Sequence, residues 1–195
     1  MEKRYGWTGK ILRINLTDGK TAEIETDAYK DNYVGGRGIA SRLYWENVSS
    51  ATHAFDPENH LFFMTGPLAG TKAPASSRWI VLGKSPLVYP EKYAFGNLGG
   101  YFGAALKWVG LDGLDIFGAA SKPVILIISE NGTARFEDAG NLWGRDALET
   151  IDLLRDRFGE KTEIAAISKA GELRVRFASV IASGGATAGK GFGSS

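Results

Sequence analysis

The sequence predicts an α+β fold in which two mixed β-sheets carry a few packed helices. Predicted strands outnumber predicted helices, and they occur as hairpins and single apolar runs without a regular βαβ alternation. A hairpin followed by a helix occurs near each end of the chain, so a duplicated plan is one interpretation. With 195 residues, the chain is one large domain or two small ones, and it is long enough to bury a proper core.

The first block begins with residues 10–16, in which Leu12, Ile14 and Leu16 alternate with polar residues. Asp18-Gly19 then separates this run from a second one over residues 21–25. Asp-Gly between two alternating runs predicts a hairpin, because glycine tolerates the positive φ of a tight turn. After a short helical turn, a glycine cluster at residues 35–38 is expected to start a helix that reaches Val48.

The middle of the chain has predicted strands over residues 61–65 and 79–82 and a short helix over residues 103–109. Asn97 to Gly103 holds three glycines and is interpreted as a turn before that helix, with Arg78 upstream. Backbone amides near a fixed guanidinium can hold an anion, but a plain tight turn stays open as the alternative. Asp112 and Asp115, in a glycine-rich stretch, are interpreted as solvated carboxylates.

The last part predicts a second hairpin and the clearest helix. Residues 124–128 and 133–137 flank an Asn-Gly turn, and the helix over residues 145–158 stops at Gly159. Residues 164–167 and 175–181 are predicted as strands. A glycine-rich tail follows from Gly184.

Composition excludes several kinds of protein. A net charge of +1 gives no basic excess for nucleic acid. No cysteine is present, which excludes a disulfide, an iron–sulfur cluster and a cysteine nucleophile within this chain. The two histidines, His53 and His60, are interpreted as loop residues, and no catalytic residue is predicted. Residues 1–4 lead into no apolar run, and no stretch is long enough to span a membrane, so a cytoplasmic protein is expected.

The tail also matches part of a P-loop. Gly184, Gly189 and Lys190 fit the first part of GxxxxGK[ST], but Gly191 stands where the magnesium-binding hydroxyl belongs. This departure disfavours a nucleoside triphosphatase. A glycine loop that holds another phosphate through its amides stays open.

A series of short motifs runs along nearly the whole chain in a fixed order. They lie at residues 6–17, 34–38, 57–59, 65–71, 73–74, 84–87, 99–104, 122–124, 142–144 and 170–172. In this order they resemble the aldehyde:ferredoxin oxidoreductase family, and the resemblance identifies residues 1–195 as its N-terminal, metallopterin-binding domain.

The resemblance implies a tungsten or molybdenum enzyme. Two pterins would hold the metal through dithiolene sulfurs, and magnesium would bridge their phosphates. An aldehyde would be oxidised to a carboxylic acid, with electrons leaving through a [4Fe-4S] cluster to ferredoxin or an electron-transfer subunit. Helical domains that carry the cluster and the acid–base residues are absent from this sequence, so the chain alone is not expected to turn over. A homodimer and a non-catalytic scaffold module that has lost the cofactor both stay open.

The resemblance also assigns site residues in two segments. In the first, Arg78 and Gly99 would contact the pterin beside Leu98, and the backbone carbonyl of Asn97 would bind magnesium. In the second, Thr187 would supply the other magnesium-binding carbonyl, between pterin contacts at Ala186 and Gly189.

Three residues of the second segment depart from the family pattern. Ala186 and Lys190 stand where the family carries arginine, and Phe192 replaces a glycine. The loss of one guanidinium contact is expected to cost about 1.5–3 kcal/mol of cofactor binding.

Overall fold

A computed structural model describes residues 5–195; residues 1–4, from which no apolar run was expected to follow, lie outside them. The main element is a six-stranded sheet with the order β2-β1-β6-β3-β4-β5. Its strands are β1 (Lys10–Asn15), β2 (Thr21–Glu25), β3 (Leu61–Thr65), β4 (Trp79–Ser85), β5 (Lys92–Leu98) and β6 (Gly113–Phe117). The pair β1–β6 is parallel and the neighbouring pairs are antiparallel, so this sheet is mixed. Two mixed sheets were predicted, but the other sheets within residues 5–195 are antiparallel.

Two smaller antiparallel sheets and four helices complete the α+β fold. Strands β7 (Val124–Ile128) and β8 (Ala134–Asp138) form the second predicted hairpin. Strands β9 (Ala165–Ala166), β10 (Val180–Ala182) and β11 (Thr187–Ala188) form a three-stranded sheet in the order β11-β10-β9. The helices are α1 (Gly35–Asn47), α2 (Phe102–Trp108), α3 (Ala147–Phe158) and α4 (Lys169–Glu172). No helix within residues 5–195 is long and apolar enough to cross a membrane.

The six-stranded sheet is covered on both faces, which explains why all seven residues of β4 are buried. Side chains alternate across a strand, so Ile80 and Leu82 face one side while Trp79 and Val81 face the other. The first pair packs in a cluster with helix α1. The second pair packs with residues of β10 and β11 and with Phe192. The sheet is therefore the middle layer between α1 and the three-stranded sheet.

Helix α1 begins inside the predicted glycine turn, and one glycine there has a clear steric role. A Cβ atom added to Gly36 would lie 2.2 Å from the carbonyl oxygen of Thr65. The first turn of α1 therefore lies directly on the end of β3, an approach that only glycine permits.

The interpretation of Asp112 and Asp115 as solvated carboxylates is wrong, because both side chains are fully buried. Asp112 accepts hydrogen bonds from the Thr8 and Gly9 amides at 3.0 and 2.9 Å and from the Thr26 hydroxyl at 2.7 Å, and it pairs with the Lys107 ammonium. Burial by itself would raise the pKa of Asp112, but the hydrogen bonds from Lys107, Thr26 and Thr8 hold this pKa below its ordinary value.

Asp115 has a second set of buried partners. Its carboxylate accepts from Arg13 Nε at 2.6 Å and lies 2.6 Å from His60 Nδ1. The His60 ring is buried just ahead of β3 and stacks on Phe117, with ring centroids 4.6 Å apart. His60 is thus a core residue, whereas His53 is an exposed loop residue.

The predicted strand over residues 175–181 is also largely wrong. Only its last two residues belong to β10. The segment before it is a turn in which the Ala178 amide donates to the Val175 carbonyl at 2.8 Å.

Candidate functional site

Three strand ends meet in one row at one end of the six-stranded sheet. Thr65 of β3 pairs with Trp79 of β4, and Trp79 pairs with Leu98 of β5. Arg78, just before β4, and Gly99, just after β5, are therefore side by side one position beyond this row. The structure brings these two predicted site residues together.

Arg78 is exposed at this sheet end. Within residues 5–195 its guanidinium makes no ion pair and no hydrogen bond. The five N–H donors of arginine match phosphate and carboxylate oxygens. The side chain is therefore free to bind an anion at this position.

The predicted turn before α2 is correct for residues 99–101, but Asn97 and Leu98 belong to strand β5. Strand β5 is at the edge of the sheet, and alternate backbone groups of an edge strand point away from its one neighbour. Asn97 is exposed and Leu98 is buried. The Gly99 carbonyl accepts a 2.8 Å hydrogen bond from the Trp79 indole Nε1, which fixes the start of the turn.

The second predicted segment includes β11, with Ala186 just before this strand and Gly189 just after it, and it follows the turn that connects β10 to β11. A 3₁₀ turn spans Ser183–Gly185, with φ of +78° at Gly184 and +81° at Gly185. The Ala182 amide donates to the Ala186 carbonyl at 2.8 Å and closes this turn. Positive φ at two successive residues explains why glycines occur here.

The two segments lie against each other through small residues. A Cβ atom added to Gly96 would lie 3.0 Å from the Ala188 Cβ, and one added to Gly100 would lie 3.2 Å from the Ser183 carbonyl oxygen. Strand β11 therefore packs on β5, and the 183–185 turn lies next to the turn after β5. Thr187 is exposed and Gly189 is half-buried beside this contact.

The departures from the family pattern have different structural consequences. Phe192 is 1% exposed and packs with Trp79 and Leu98, so its ring fills the core beneath the site. Ala186 is half-buried against the same cluster and contributes no charge. Lys190 is exposed with φ of +70°, and its carbonyl accepts from the Ser85 hydroxyl.

The tail does not have the geometry of a P-loop. Residues 187–188, in the middle of the matching stretch, form strand β11 and pair with β10. A P-loop instead wraps one continuous loop of amides around the phosphates before a helix. The nucleoside triphosphatase alternative is therefore disfavoured by the structure as well.

The arrangement fits a phosphate–magnesium group. Cβ atoms added to Gly99, Gly184 or Gly185 would meet no other atom within 4 Å, so the backbone there is open to a ligand. Among residues 5–195, no three His, Cys, Asp or Glu side chains are grouped as metal ligands. Magnesium prefers oxygen ligands and substrate phosphates, so a magnesium ion here would be held by backbone carbonyls and a bound phosphate and not by a carboxylate cluster.

Sequence reasoning missed the residues that hold the two segments together. The sequence pattern places Trp79 only in a strand and singles out neither Gly96 nor Ala188. A glycine inside a strand pattern signals close approach of another backbone, so Gly96 was the available signal. A separate groove beside α3, lined by Leu148, Leu153 and Ile181 among others, shares no residue with the two segments.

Comparisons with known proteins give one consistent family. The family model described as aldehyde ferredoxin oxidoreductase, N-terminal domain, matches residues 11–195. Tungsten-containing aldehyde ferredoxin oxidoreductases of Pyrococcus abyssi and Pyrococcus horikoshii are 42% and 40% identical over 190 residues, covering 96% of this chain. The chain spans only 31% of the length of these relatives.

Two further similarities carry other names. A Pyrococcus furiosus protein named aliphatic sulfonate oxidoreductase, WOR-like subunit, is 32% identical over 196 residues, covering 91% of this chain and 30% of that protein. The solved active site complex BamBC of benzoyl coenzyme A reductase, in complex with 1,5-dienoyl-CoA, superposes with a TM-score of 0.91 and 34% identity. That match covers 98% of this chain and 29% of the solved chain.

Proposed function

This chain belongs to the aldehyde ferredoxin oxidoreductase family, whose N-terminal domain it forms, and we propose that it binds a tungsten–pterin cofactor. The observation that carries the proposal is the meeting of Arg78 and the 97–99 segment with the 183–189 segment at one end of the sheet. An unpaired guanidinium, open glycines and edge-strand carbonyls are the groups that a phosphate–magnesium unit requires.

Each residue has a proposed role in holding the cofactor. The Arg78 guanidinium donates to a phosphate oxygen, and the carbonyls of Asn97 and Thr187 bind magnesium. Leu98, Gly99, Ala186 and Gly189 present backbone to the pterin, as the family resemblance implies. The buried Trp79 indole positions the Gly99 backbone through its 2.8 Å hydrogen bond. The proposed role of this domain is therefore to bind and orient the cofactor.

When bound, such a cofactor supplies tungsten or molybdenum chemistry for the oxidation of an aldehyde to a carboxylic acid. The proposed acid–base residues and the [4Fe-4S] cluster belong to the part of the relatives that this chain does not span. Ferredoxin or an electron-transfer subunit is the proposed electron acceptor, and the cytoplasm is the proposed location. The domain by itself is proposed not to turn over.

A second candidate function is a non-catalytic binding module that has the fold without the cofactor. The observation that favours it is Ala186, which is half-buried against an apolar cluster and offers no charge to a phosphate. Under this alternative, Arg78 would bind another anion or an acidic protein segment. The two candidates differ in whether purified protein contains metal and pterin.

The test is cofactor loading in a host that makes pterin cofactors and is supplied with tungstate. The chain is produced alone and together with a second chain that carries the remaining part of the Pyrococcus abyssi relative. Tungsten and molybdenum are measured by mass spectrometry, and pterin by its fluorescence after oxidation. We expect metal and pterin in a ratio of about one to two. Protein without metal and pterin in both preparations would contradict the proposal and favour the binding module.

A further inference from the structure

For almost every glycine within residues 5–195, the structure of the chain itself explains why the residue is glycine. Most have a positive φ, and others would place an added Cβ atom 3.2 Å or less from a neighbouring atom. Within residues 5–195, three glycines have neither reason: Gly66, Gly99 and Gly189. An added Cβ atom would meet nothing within 4 Å at the first two, and at Gly189 its nearest neighbour would be the Ser179 hydroxyl at 3.9 Å.

Where neither the backbone φ nor a neighbouring atom of the chain requires glycine, its presence indicates that something outside the chain approaches the backbone there. Glycine raises the entropy cost of folding, and its common use besides strained turns is to let a ligand or another chain approach the backbone. Gly99 and Gly189 already belong to the proposed cofactor site. Gly66 has the same property, and no role has been assigned to it.

The local structure around Gly66 does not require glycine. The residue precedes Pro67, which restricts it to extended conformations that any L-residue adopts. Its carbonyl accepts from the Ala69 amide at 3.2 Å, as in an ordinary turn. A side chain at position 66 would therefore be tolerated by residues 5–195.

Gly66 is also held firmly in place. The preceding Thr65 donates to the Asp112 carbonyl oxygen through its amide at 3.0 Å and through its hydroxyl at 2.8 Å. Helix α1 lies on the same residue through Gly36. Gly66 therefore directly follows a strand end that these contacts hold in place.

The strand register places Gly66 next to the proposed site. Because Thr65, Trp79 and Leu98 pair in one row, the next row is Gly66, Arg78 and Gly99. Neighbouring strands are about 4.8 Å apart, so the two glycines flank Arg78 over a span of roughly 10 Å. The row has an unpaired cation in the middle and open backbone on both sides.

We infer that Gly66 is a further contact of the cofactor, and that a flat ligand carrying a phosphate lies along the row Gly66, Arg78 and Gly99. The phosphate pairs with Arg78, and the ring passes over the Cα atoms of the glycines. This inference rests on the proposed function, because it takes its ligand from that proposal. A protein segment lying over Gly66 is the other possible reason for its open surface.

The test compares Gly66→Ala with Gly140→Ala as a matched control. Gly140 is exposed two residues after β8 and has no positive φ. An added Cβ atom there would meet only the Asp138 carboxylate oxygen, at 3.1 Å, and this exposed side chain can move aside. Both variants are loaded as described above, with the second chain present. For Gly66→Ala we expect an unchanged or higher melting temperature of the unloaded protein, because alanine restricts the unfolded chain. We expect its pterin content per chain to fall at least fivefold, and that of Gly66→Val to fall further.

Four results would overturn the inference. A clear drop in the melting temperature of unloaded Gly66→Ala would show an internal need for glycine. Wild-type pterin content in both Gly66 variants, with loss in Arg78→Gln, would leave the proposed function intact and remove Gly66 from the site. Unchanged pterin content with weakened association of the second chain would assign the open surface to a protein contact. Absence of pterin from the wild-type protein would contradict this inference and the proposed function together.

Discussion

The indole Nε1 of Trp79 donates a 2.8 Å hydrogen bond to the carbonyl oxygen of Gly99. Trp79 is 1% exposed and follows Arg78 directly, so one buried ring connects the proposed cation to the proposed glycine contact. The Trp79 ring also packs on Phe102 of α2, with ring centroids 4.6 Å apart. The start of β4, the turn after β5 and helix α2 are therefore held together as one unit.

Trp79→Phe removes this donor and keeps an aromatic ring. The Gly99 carbonyl loses its partner, and we expect a loss of about 0.5–1.5 kcal/mol from the hydrogen bond and a further loss from the smaller ring. Amide hydrogen exchange should accelerate in residues 99–101. The control is Trp108→Phe, because the Trp108 indole donates to Gly70 from an exposed position at 3.1 Å. Equal rates of amide hydrogen exchange at residues 99–101 in the two variants would contradict the positioning role of Trp79.

Asp112→Asn tests the buried carboxylate that fastens residues 8–9 and 26 to the start of β6. The amide has nearly the same shape, but it leaves the buried Lys107 ammonium without its counter-charge. Breaking a buried pair from one side costs about 3–5 kcal/mol, which we expect in the free energy of unfolding by urea. The control is Asp138→Asn, an exposed partner of Lys122 that should change stability little.

The lowered pKa of Asp112 predicts the pH dependence of stability. In the unfolded chain an aspartate titrates near a pKa of about 3.9, and in the folded protein its pKa is lower. The folded state therefore favours the charged form, so the stabilisation is complete above that unfolded pKa and is lost as pH falls through the folded pKa. Urea titrations between pH 7 and pH 2 should show this loss, and Asp112→Asn should flatten it. If the free energy of unfolding of Asp112→Asn falls with decreasing pH as steeply as that of the wild type, other groups cause the acid sensitivity.

Ala186→Arg tests the departure in the 186–189 segment. A guanidinium there would add a charge-assisted contact to the proposed cofactor, worth about 1.5–3 kcal/mol, or roughly 10- to 150-fold in affinity. The rate at which pterin is lost from loaded protein during dialysis should fall accordingly. Ala186→Gln supplies a long polar side chain without the charge and should have a much smaller effect. If the arginine and glutamine variants lose pterin equally fast, no phosphate lies near position 186.

The sequence predicted those strands, turns and helices whose local residue pattern suits the position that they occupy in the folded protein. Residues 61–65 form β3 with the predicted bounds, and the Asp18-Gly19 and Asn131-Gly132 turns each connect a hairpin. Helix α3 begins two residues later than predicted, because Asp146 caps it by accepting from the Glu149 amide. In these segments, pattern and turn chemistry point the same way as the tertiary structure.

Strand β6 could not be predicted in this way. Asp115 is in its centre, and a charged residue breaks an apolar pattern. The partners that make its burial tolerable, Arg13 and His60, are 102 and 55 residues away in the chain. Strand β5 was missed because it is an exposed edge strand with Gly96 in the middle.

The proposed site residues follow from the family resemblance, whereas their arrangement does not follow from the sequence. The family resemblance pointed to both segments, whereas the contact between Gly96 and Ala188 depends on the tertiary packing of β11 on β5. Nor could spacing alone separate Gly66 and Gly99 from glycines that serve turns, because this distinction needs the backbone φ and the surrounding atoms.

The most direct test of the central claim is a crystal structure of the loaded protein at the tungsten absorption edge, with the second chain present. The account predicts one anomalous peak for tungsten over this end of the six-stranded sheet. It also predicts a phosphate within hydrogen-bond distance of Arg78 and a magnesium ion between the carbonyls of Asn97 and Thr187. Tungsten or phosphate bound elsewhere on the chain, with Arg78 and Gly99 still in contact with solvent, would contradict it.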